Sequence, residues 1–239
     1  IQSLMERRPT QHKQPLGPFP ARQLKQQDKL QVISTIPKAN APVGPKLPGI
    51  STLTHVLDNN LSLSTGELMK EGLLVMCSLP GKADGPSNST EKLDKDMQKL
   101  AQAGVKSVLC LINKYELRAF GVDQVKYEQA CKKYGVEFVQ FEIIEMAAPK
   151  QSPNEFHTQV IEPLAQNMNT SLKTAVHCRA GVGRTGLVVA CLLLHFGLVQ
   201  TAKAAISYLR QHRHHNCVES DSQRRYVAAY ETFIKSTKK

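Results

Sequence analysis

VHCRAGVGRTG, residues 176–186, continues the apolar run TAVHC and leads into the apolar segment LVVACLLLHF. A short apolar run, a glycine-rich turn and a longer apolar segment predict a buried strand, a loop and a buried helix. Gly181 and Gly183 let the backbone approach a ligand closely and adopt positive φ where a tight turn needs it. The stretch therefore predicts an anion-binding loop in an α/β domain, and two different sites are consistent with it.

The first interpretation is a dinucleotide site, because the glycines match GxGxxG. That fingerprint needs a second strand after the helix, ending in an acidic residue about twenty positions further on. Here the helix predicted at 184–196 is followed by another helical pattern, TAKAAISYLRQHR, and position 206 is Ile. No Lys-Ser or Lys-Thr pair follows the last glycine, so a nucleotide P-loop is not favoured either.

The second interpretation is a phosphate site built around a nucleophilic cysteine. Cys178 ends the predicted strand and Arg184 begins the predicted helix. Inward-pointing N–H groups and the positive end of the helix dipole bind a tetrahedral oxyanion, and they also favour a thiolate. The planar guanidinium of Arg184 can bind two phosphoryl oxygens at once. This interpretation explains more of the residues.

HCRAGVGRTG resembles the HCxxGxxRTG signature of the protein tyrosine and dual-specificity phosphatases. The resemblance covers about residues 73–236, and SLPG at 78–81 is most similar to the compact, kinase-associated-phosphatase-like branch. It implies a cysteinyl-phosphate intermediate on Cys178. It further implies that Arg184 clamps the phosphate, Thr185 assists the leaving thiolate and His177 orients the loop. The loop positions expected to bind substrate are Arg179, Ala180, Gly181, Val182 and Gly183.

The family pattern is broken at the general acid, which is commonly an Asp about thirty residues before the cysteine. No Asp occurs between Asp123 and Asp221. Glu145, 33 positions before Cys178 in the segment FEIIEMAAPKQSP, is the predicted acid, and Glu142 is the alternative. If neither protonates the leaving group, the chain is a slow enzyme or a phosphate-binding module with little turnover.

ESDSQRRY, residues 219–226, resembles the QTxxQ segment with which tyrosine-specific members position the hydrolytic water. Gln223 matches the second glutamine and is predicted to belong to the substrate site, although Glu219 replaces the first. A plain polar residue in the first turn of a helix is the alternative for Gln223.

Two further segments are expected near the pocket. Tyr115, Glu116 and Arg118 are placed in a loop at its rim. RQHRHH, 210–215, is interpreted as a solvated helix end that adds positive potential, rather than as a metal site, because adjacent residues point in several directions. We expect no metal and no cofactor.

The substrate implied by the resemblance is a phosphorylated protein, with phosphotyrosine first and phosphoserine or phosphothreonine as further candidates. Lipid-specific relatives carry lysines inside the loop, whereas Arg179 is the only basic residue among the interior positions here. A phosphoinositide substrate is therefore the weaker alternative.

Apolar runs alternate with amphipathic segments along the rest of the chain, as is typical of a parallel sheet covered by helices. We predict a single α/β domain with a mostly parallel sheet of four to five strands flanked by helices. Ser152 and Glu155 form a predicted capping box. The predicted strands are 73–80, 105–113, 136–143 and 174–178, and the predicted helices are one ending near Gly104, 122–134, one starting at Pro153, 184–196, 201–213 and 220–236.

Residues 1–50 contain eight of the 13 prolines and eight Lys or Arg against two acidic residues. This composition predicts a basic, Pro-rich and poorly ordered extension. Its functional interpretation is a docking segment for an acidic or anionic partner, and its plain interpretation is a solvated linker. Residues 51–239 would then form the phosphatase-like catalytic domain.

The formal net charge of +11 favours anionic partners in general, and we expect phosphoproteins rather than nucleic acid. The six cysteines show no CxxC spacing, which favours a reducing intracellular compartment, either the cytoplasm or the nucleus. No run of eighteen apolar residues occurs, so we expect no transmembrane segment.

Overall fold

The computed structural model describes residues 73–82 and 89–237. These residues form four strands and a set of helices that alternate with them along the chain. In chain order the elements are β1 (Leu74–Cys77), α1 (Ser89–Gln102), β2 (Val105–Cys110), α2 (Lys114–Ala119), α3 (Gln124–Lys133), β3 (Glu137–Gln140), α4 (Pro153–Phe156), a π-helical turn (His157–Ile161), α5 (Glu162–Asn169), β4 (Lys173–His177), α6 (Gly183–His195), α7 (Ala202–His212) and α8 (Asp221–Thr237).

The four strands form one sheet in the order β1-β4-β2-β3, and every neighbouring pair is parallel. All four residues of the edge strand β1 and the last four of the central strand β4 are buried, so both faces of these two strands are covered. This confirms the predicted α/β fold with a parallel sheet flanked by helices.

The register aligns the carboxyl ends of the strands. His177 at the end of β4 pairs with Cys77 of β1 and with Cys110 of β2, and Cys110 pairs in turn with Gln140 of β3. The segments that follow these four residues therefore meet at one edge of the sheet, which is where ligands bind in open parallel sheets.

Several predicted strands extend past the observed ends. The sheet ladder of β2 stops at Cys110, although Leu111 and Ile112 are fully buried. Leu111 instead donates its N–H to His177 O (2.9 Å) and accepts from Ile143 N (3.1 Å). The apolar residues thus continue beyond the last paired residue of β2, and hydrophobicity alone could not predict where the strand ends.

Helix α2 corrects one expectation. Tyr115, Glu116 and Arg118 lie on this helix rather than in a loop. The Asn113 side chain caps it by accepting the N–H groups of Tyr115 (3.0 Å) and Glu116 (2.9 Å). Six residues are too few to show a helical period in the sequence, so only the cap signalled the helix.

The predicted capping box is confirmed at α4. The Ser152 hydroxyl accepts the Glu155 N–H, and the Glu155 carboxylate accepts the Ser152 N–H in return. After Phe156 the helix widens into the π-helical turn before α5 begins, so the segment is not one regular helix.

The predictions for residues 1–50 and 51–72 lie outside the described residues. Within 73–82 and 89–237, none of the helices combines the length and apolarity needed to cross a bilayer.

Candidate active site

The β4–α6 loop, residues 178–182, connects the central strand to the most buried helix of the domain. Cys178 is the first residue after β4 and is 3% exposed. Val182 precedes α6 and offers no side-chain cap, so ligands at this end meet backbone N–H groups. The strand end and the helix N-terminus thereby bring a thiol and a positive dipole together.

The net effect of this environment is a lowered pKa for the Cys178 thiol. Burial by itself would raise that pKa, but hydrogen bonding from the Thr185 hydroxyl, the positive charge of Arg184 and the backbone N–H groups of Thr185 and Val182 outweigh burial. The hydroxyl of Thr185 is buried and has no oxygen or nitrogen partner among the described residues, which leaves it available to the sulfur. Cys178 is therefore poised to act as a thiolate.

Arg184 is almost fully buried and is fixed by two partners. Its Nη2 and Nη1 donate to the two carboxylate oxygens of Glu116 at 2.5 and 2.7 Å, and Nη1 also donates to Ile143 O at 3.0 Å. These three bonds leave one N–H at Nε and one at Nη2 out of the five that a guanidinium carries. The remaining pair matches two oxygens of a phosphoryl group.

Glu116 was expected only at the rim of the pocket, and its role is different. The Glu116 side chain lies 68 positions before Arg184 in the chain and is 14% exposed. It belongs to the support of the arginine, and no local pattern in the sequence connects the two residues.

His177 lies behind the loop and is completely buried. Its Nδ1 lies 3.2 Å from Cys178 O, which can only accept, so the ring donates there and accepts the Tyr127 hydroxyl at Nε2 (2.9 Å). Burial lowers the pKa of His177 to about 4, so the ring is neutral. These contacts fix the carbonyl of Cys178.

The two interior glycines differ in what lies next to them. Gly181 has φ +68, and a Cβ there would collide with the carbonyl oxygen of Cys77. A Cβ at Gly183 would meet the carboxylate end of the Glu219 side chain, which can move aside. Of the loop side chains, Arg179 and Ala180 are exposed, whereas Val182 is buried.

Glu145 lies in the β3–α4 loop, residues 141–152, on the same edge of the sheet. Its carboxylate forms an ion pair with Arg179 at 3.1 Å, and both side chains are 46% exposed. Arg179 also lies over the ring of Phe120, 5.7 Å from the centroid. Burial lowers the pKa of Arg184, but its hydrogen bond to Glu116 and its charge interactions, the one with Glu145 included, outweigh burial and raise that pKa. Glu142 is exposed and has no such contact among the described residues.

The Gln223 side chain contacts the same loop, but it binds the backbone of that loop and not Glu145. Its side chain is completely buried, its Nε2 donates to Ala147 O at 3.3 Å and its Oε1 accepts Ser220 N at 3.4 Å. Both ends of the amide are therefore engaged, and these contacts do not support the expectation that Gln223 binds substrate.

RQHRHH is only partly the solvated helix end that was expected. His212, His214 and His215 are exposed, but Arg213 is 9% exposed. None of its three guanidinium nitrogens has a hydrogen-bond partner among the described residues. Burial lowers the pKa of Arg213 to about 10, and its charge interacts with Cys217, Cys77 and Cys178. The fold places this buried cation beside Gly181 and not in solvent.

No group of three or more His, Cys, Asp or Glu side chains in the described part of the chain is arranged to hold a metal ion. All six cysteines are buried free thiols. The reactive and charged groups described at this edge of the sheet are a thiolate, a fixed guanidinium and carboxylates.

Comparison with known proteins agrees with this geometry. Residues 86–227 match the family model described as "Swiss Army Knife protein, DSP-PTPase phosphatase domain". Cyclin-dependent kinase inhibitor 3 of Rattus norvegicus is 28% identical over 156 residues, which cover 64% of this chain and 69% of the relative. A phosphatidylinositol 3,4,5-trisphosphate 3-phosphatase and protein-tyrosine-phosphatase of Arabidopsis thaliana is 34% identical over 120 residues, covering 46% of this chain and 18% of that protein.

Among solved structures, kinase associated phosphatase with its catalytic-site cysteine replaced by serine has the same fold. The match has a TM-score of 0.61 at 23% identity and covers 72% of this chain and 93% of that one. The family model spans more than half of the chain and includes the whole β4–α6 loop. The chain therefore belongs to the family of dual-specificity and protein tyrosine phosphatase domains, which hydrolyse phosphate monoesters.

Proposed function

We propose that this protein phosphatase hydrolyses phosphotyrosine, and also phosphoserine and phosphothreonine, through a phosphate ester of Cys178. The observation that supports this most strongly is the pairing of a thiol of lowered pKa with a buried arginine fixed by Glu116. A thiolate is the attacking form of cysteine, and a preoriented guanidinium stabilises charge that spreads over the phosphoryl oxygens.

In the first step the Cys178 sulfur attacks phosphorus, and the bond from phosphorus to the oxygen of the substrate side chain breaks. Arg184 binds two of the phosphoryl oxygens through its remaining N–H groups, and the N–H groups of the β4–α6 loop bind the oxygens as well. Protonated Glu145 gives its proton to the departing oxygen, so that phenol or alcohol leaves as a neutral molecule.

In the second step water attacks the phosphorus of the cysteinyl phosphate. Glu145, now a carboxylate, accepts a proton from that water, and the sulfur–phosphorus bond breaks to release inorganic phosphate. The Thr185 hydroxyl donates to the sulfur as it leaves as a thiolate, and His177 holds the Cys178 carbonyl in place.

Two carboxylates of one loop provide a matched test of the acid. Wild type, Cys178→Ser, Glu145→Gln and Glu142→Gln are assayed across pH on a phosphotyrosine peptide, a phosphothreonine peptide and a soluble phosphoinositide. We expect Cys178→Ser to lose turnover on every substrate, because a hydroxyl is not ionised at neutral pH. Glu145→Gln should lower kcat about 100-fold or more and flatten the high-pH limb of the profile. Glu142→Gln should behave as wild type.

Each alternative has its own outcome. Full activity of Cys178→Ser would contradict the proposed nucleophile. The losses expected for Glu145→Gln, found in Glu142→Gln instead, would assign the acid to Glu142. A burst of product without steady turnover in wild type would indicate a phosphate-binding module, and preference for the phosphoinositide would indicate a lipid substrate.

A further inference from the structure

The first turns of α8 contact the β3–α4 loop through three side chains. Ser222 Oγ donates to Met146 O (3.3 Å), Gln223 Nε2 donates to Ala147 O (3.3 Å) and Tyr226 OH donates to Gln151 O (2.9 Å). All three acceptors are backbone carbonyls of the loop that carries Glu145. The loop therefore takes part of its shape from a helix more than seventy residues away.

The loop needs such support, because it is irregular on both sides of Glu145. Outside these contacts, three backbone–backbone hydrogen bonds are made by the N–H groups of its first part among the described residues: Phe141 N to Cys110 O, Ile143 N to Leu111 O and Ala147 N to Ile144 O. Met146, directly after Glu145, has φ +62 without being glycine. Such a conformation is unfavourable for a side chain with Cβ and persists only where the surroundings impose it.

Gln223 is the most deeply buried of the three side chains. It is completely buried, and its amide is held on both sides by Ala147 O and Ser220 N. Its own N–H donates to Ser220 Oγ at 3.1 Å, which fixes the start of α8. A buried amide has one favourable orientation when donor and acceptor are both satisfied. The bond to Ala147 O therefore sets the backbone two residues after Glu145.

We propose that Gln223 is a positioning residue for Glu145, acting through the β3–α4 loop and not through water or substrate. The proposal rests on the proposed function, in which Glu145 is the proton donor. When the bond to Ala147 O is removed, the loop loses its imposed conformation at Met146, and the carboxyl group of Glu145 spends less time near the departing oxygen. Phosphate binding at Cys178 and Arg184 is unaffected, since neither residue contacts Gln223 in the described structure.

The test uses leaving groups that differ in their need for a proton. Gln223→Met keeps the length of the side chain and removes the amide. We expect its kcat/KM to fall about tenfold on phenyl phosphate and less than about twofold on a dinitrophenyl phosphate. This ratio reports the step in which the leaving group departs, and only the poorer leaving group requires an acid there. Gln200→Met is the matched control, since Gln200 is exposed and donates to Gly197 O far from the loop (3.4 Å).

A double variant decides whether Gln223 acts through Glu145. In a Glu145→Gln background, Gln223→Met should change kcat/KM on phenyl phosphate by less than about twofold. A full tenfold loss in that background, equal losses on both phosphates, or no loss in the single variant would each overturn the positioning role. By contrast, a Glu145→Gln variant with wild-type dependence on the leaving group would refute the acid itself.

Folding is controlled separately. Thermal melting of each variant shows whether the domain is intact, and if Gln223→Met fails to fold, Ser222→Ala removes the neighbouring bond to Met146 O with a smaller change. Ser222→Ala should then lower kcat/KM on phenyl phosphate about threefold and leave kcat/KM on the dinitrophenyl ester unaffected. The absence of any difference between the two esters would overturn the proposal.

Discussion

The two sides of the site are built differently. Cys178, His177 and Arg184 on the β4–α6 side are between 0% and 3% exposed. On the β3–α4 side, Glu145 and its partner Arg179 are each 46% exposed. The groups proposed to bind phosphate are thus fixed in the interior, whereas the proposed proton donor lies at the surface.

Each side of the site contains one Arg–Glu ion pair, and the two pairs differ in their exposure to solvent. Arg184 and Glu116 form a bidentate pair in a nearly dry setting, where charge interactions are strong and an unpaired partner is costly. Arg179 and Glu145 form a single contact in solvent, where such pairs contribute little to stability. A surface pair can open readily, which is consistent with the proton transfer proposed for Glu145.

Removing the carboxylate from each ion pair should give very different losses of stability. Glu116→Ala leaves the Arg184 charge buried without its carboxylate, and we expect the free energy of unfolding to drop by about 4 kcal/mol. Glu145→Ala removes the same kind of partner at the surface and should cost less than about 0.5 kcal/mol. Urea unfolding of both variants measures the two values, and similar losses would show that the two sides are not distinct.

A second change tests how tightly the β4–α6 loop is packed. Gly181→Ala adds a methyl group against the Cys77 carbonyl at positive φ, so we expect a loss of about 3 kcal/mol together with most of the activity. Gly135→Ala is the control, because Gly135 has φ +64 with no atom near its Cβ position. It should cost about 1 kcal/mol and leave kcat unchanged. Equal costs would mean that φ alone, and not contact, governs the loop.

The burial of His177 should make the stability of the protein depend on pH. The pKa of His177 is about 4 in the folded protein, below its usual 6.5, so the unfolded chain binds a proton first as pH falls. The contribution of neutral His177 to the free energy of unfolding is therefore fully present above about pH 6.5 and is lost as the pH falls towards 4. Between pH 7 and pH 5 the loss should be about 2 kcal/mol.

Urea unfolding at the two pH values measures this loss. Replacing both partners, as in His177→Leu with Tyr127→Phe, should abolish about that much of the acid sensitivity. Substitution of the exposed His212 by Gln should not change it. An unaltered slope in the double variant would place the acid sensitivity elsewhere.

Local and distant relations separate what the sequence could predict from what it could not. Cys178 and Arg184 lie in one strand–loop–helix unit, so their spacing alone predicted a shared site. The parallel sheet followed from alternating apolar runs, and the capping box at Ser152 was confirmed because its two residues are three positions apart.

The contacts that were missed join distant segments. Glu116 meets Arg184 across 68 positions, and Gln223 meets Ala147 across 76. Only the folded chain brings these pairs together. The burial of Arg213 was missed for a related reason: its neighbours Cys77 and Gly181 belong to other elements, while its sequence neighbours are polar and exposed.

We expect Arg213 to couple the stability of the domain to anion binding in the β4–α6 loop. Its buried guanidinium has no hydrogen-bond partner among the described residues, which is a costly arrangement, and it lies beside Gly181 of that loop. An anion bound there should offset part of this cost. Mass action then makes the melting temperature a function of free phosphate, and ligand at about one hundred times its Kd adds about 2.7 kcal/mol. We therefore expect the protein to melt at a higher temperature when inorganic phosphate, the product, is present in the solution.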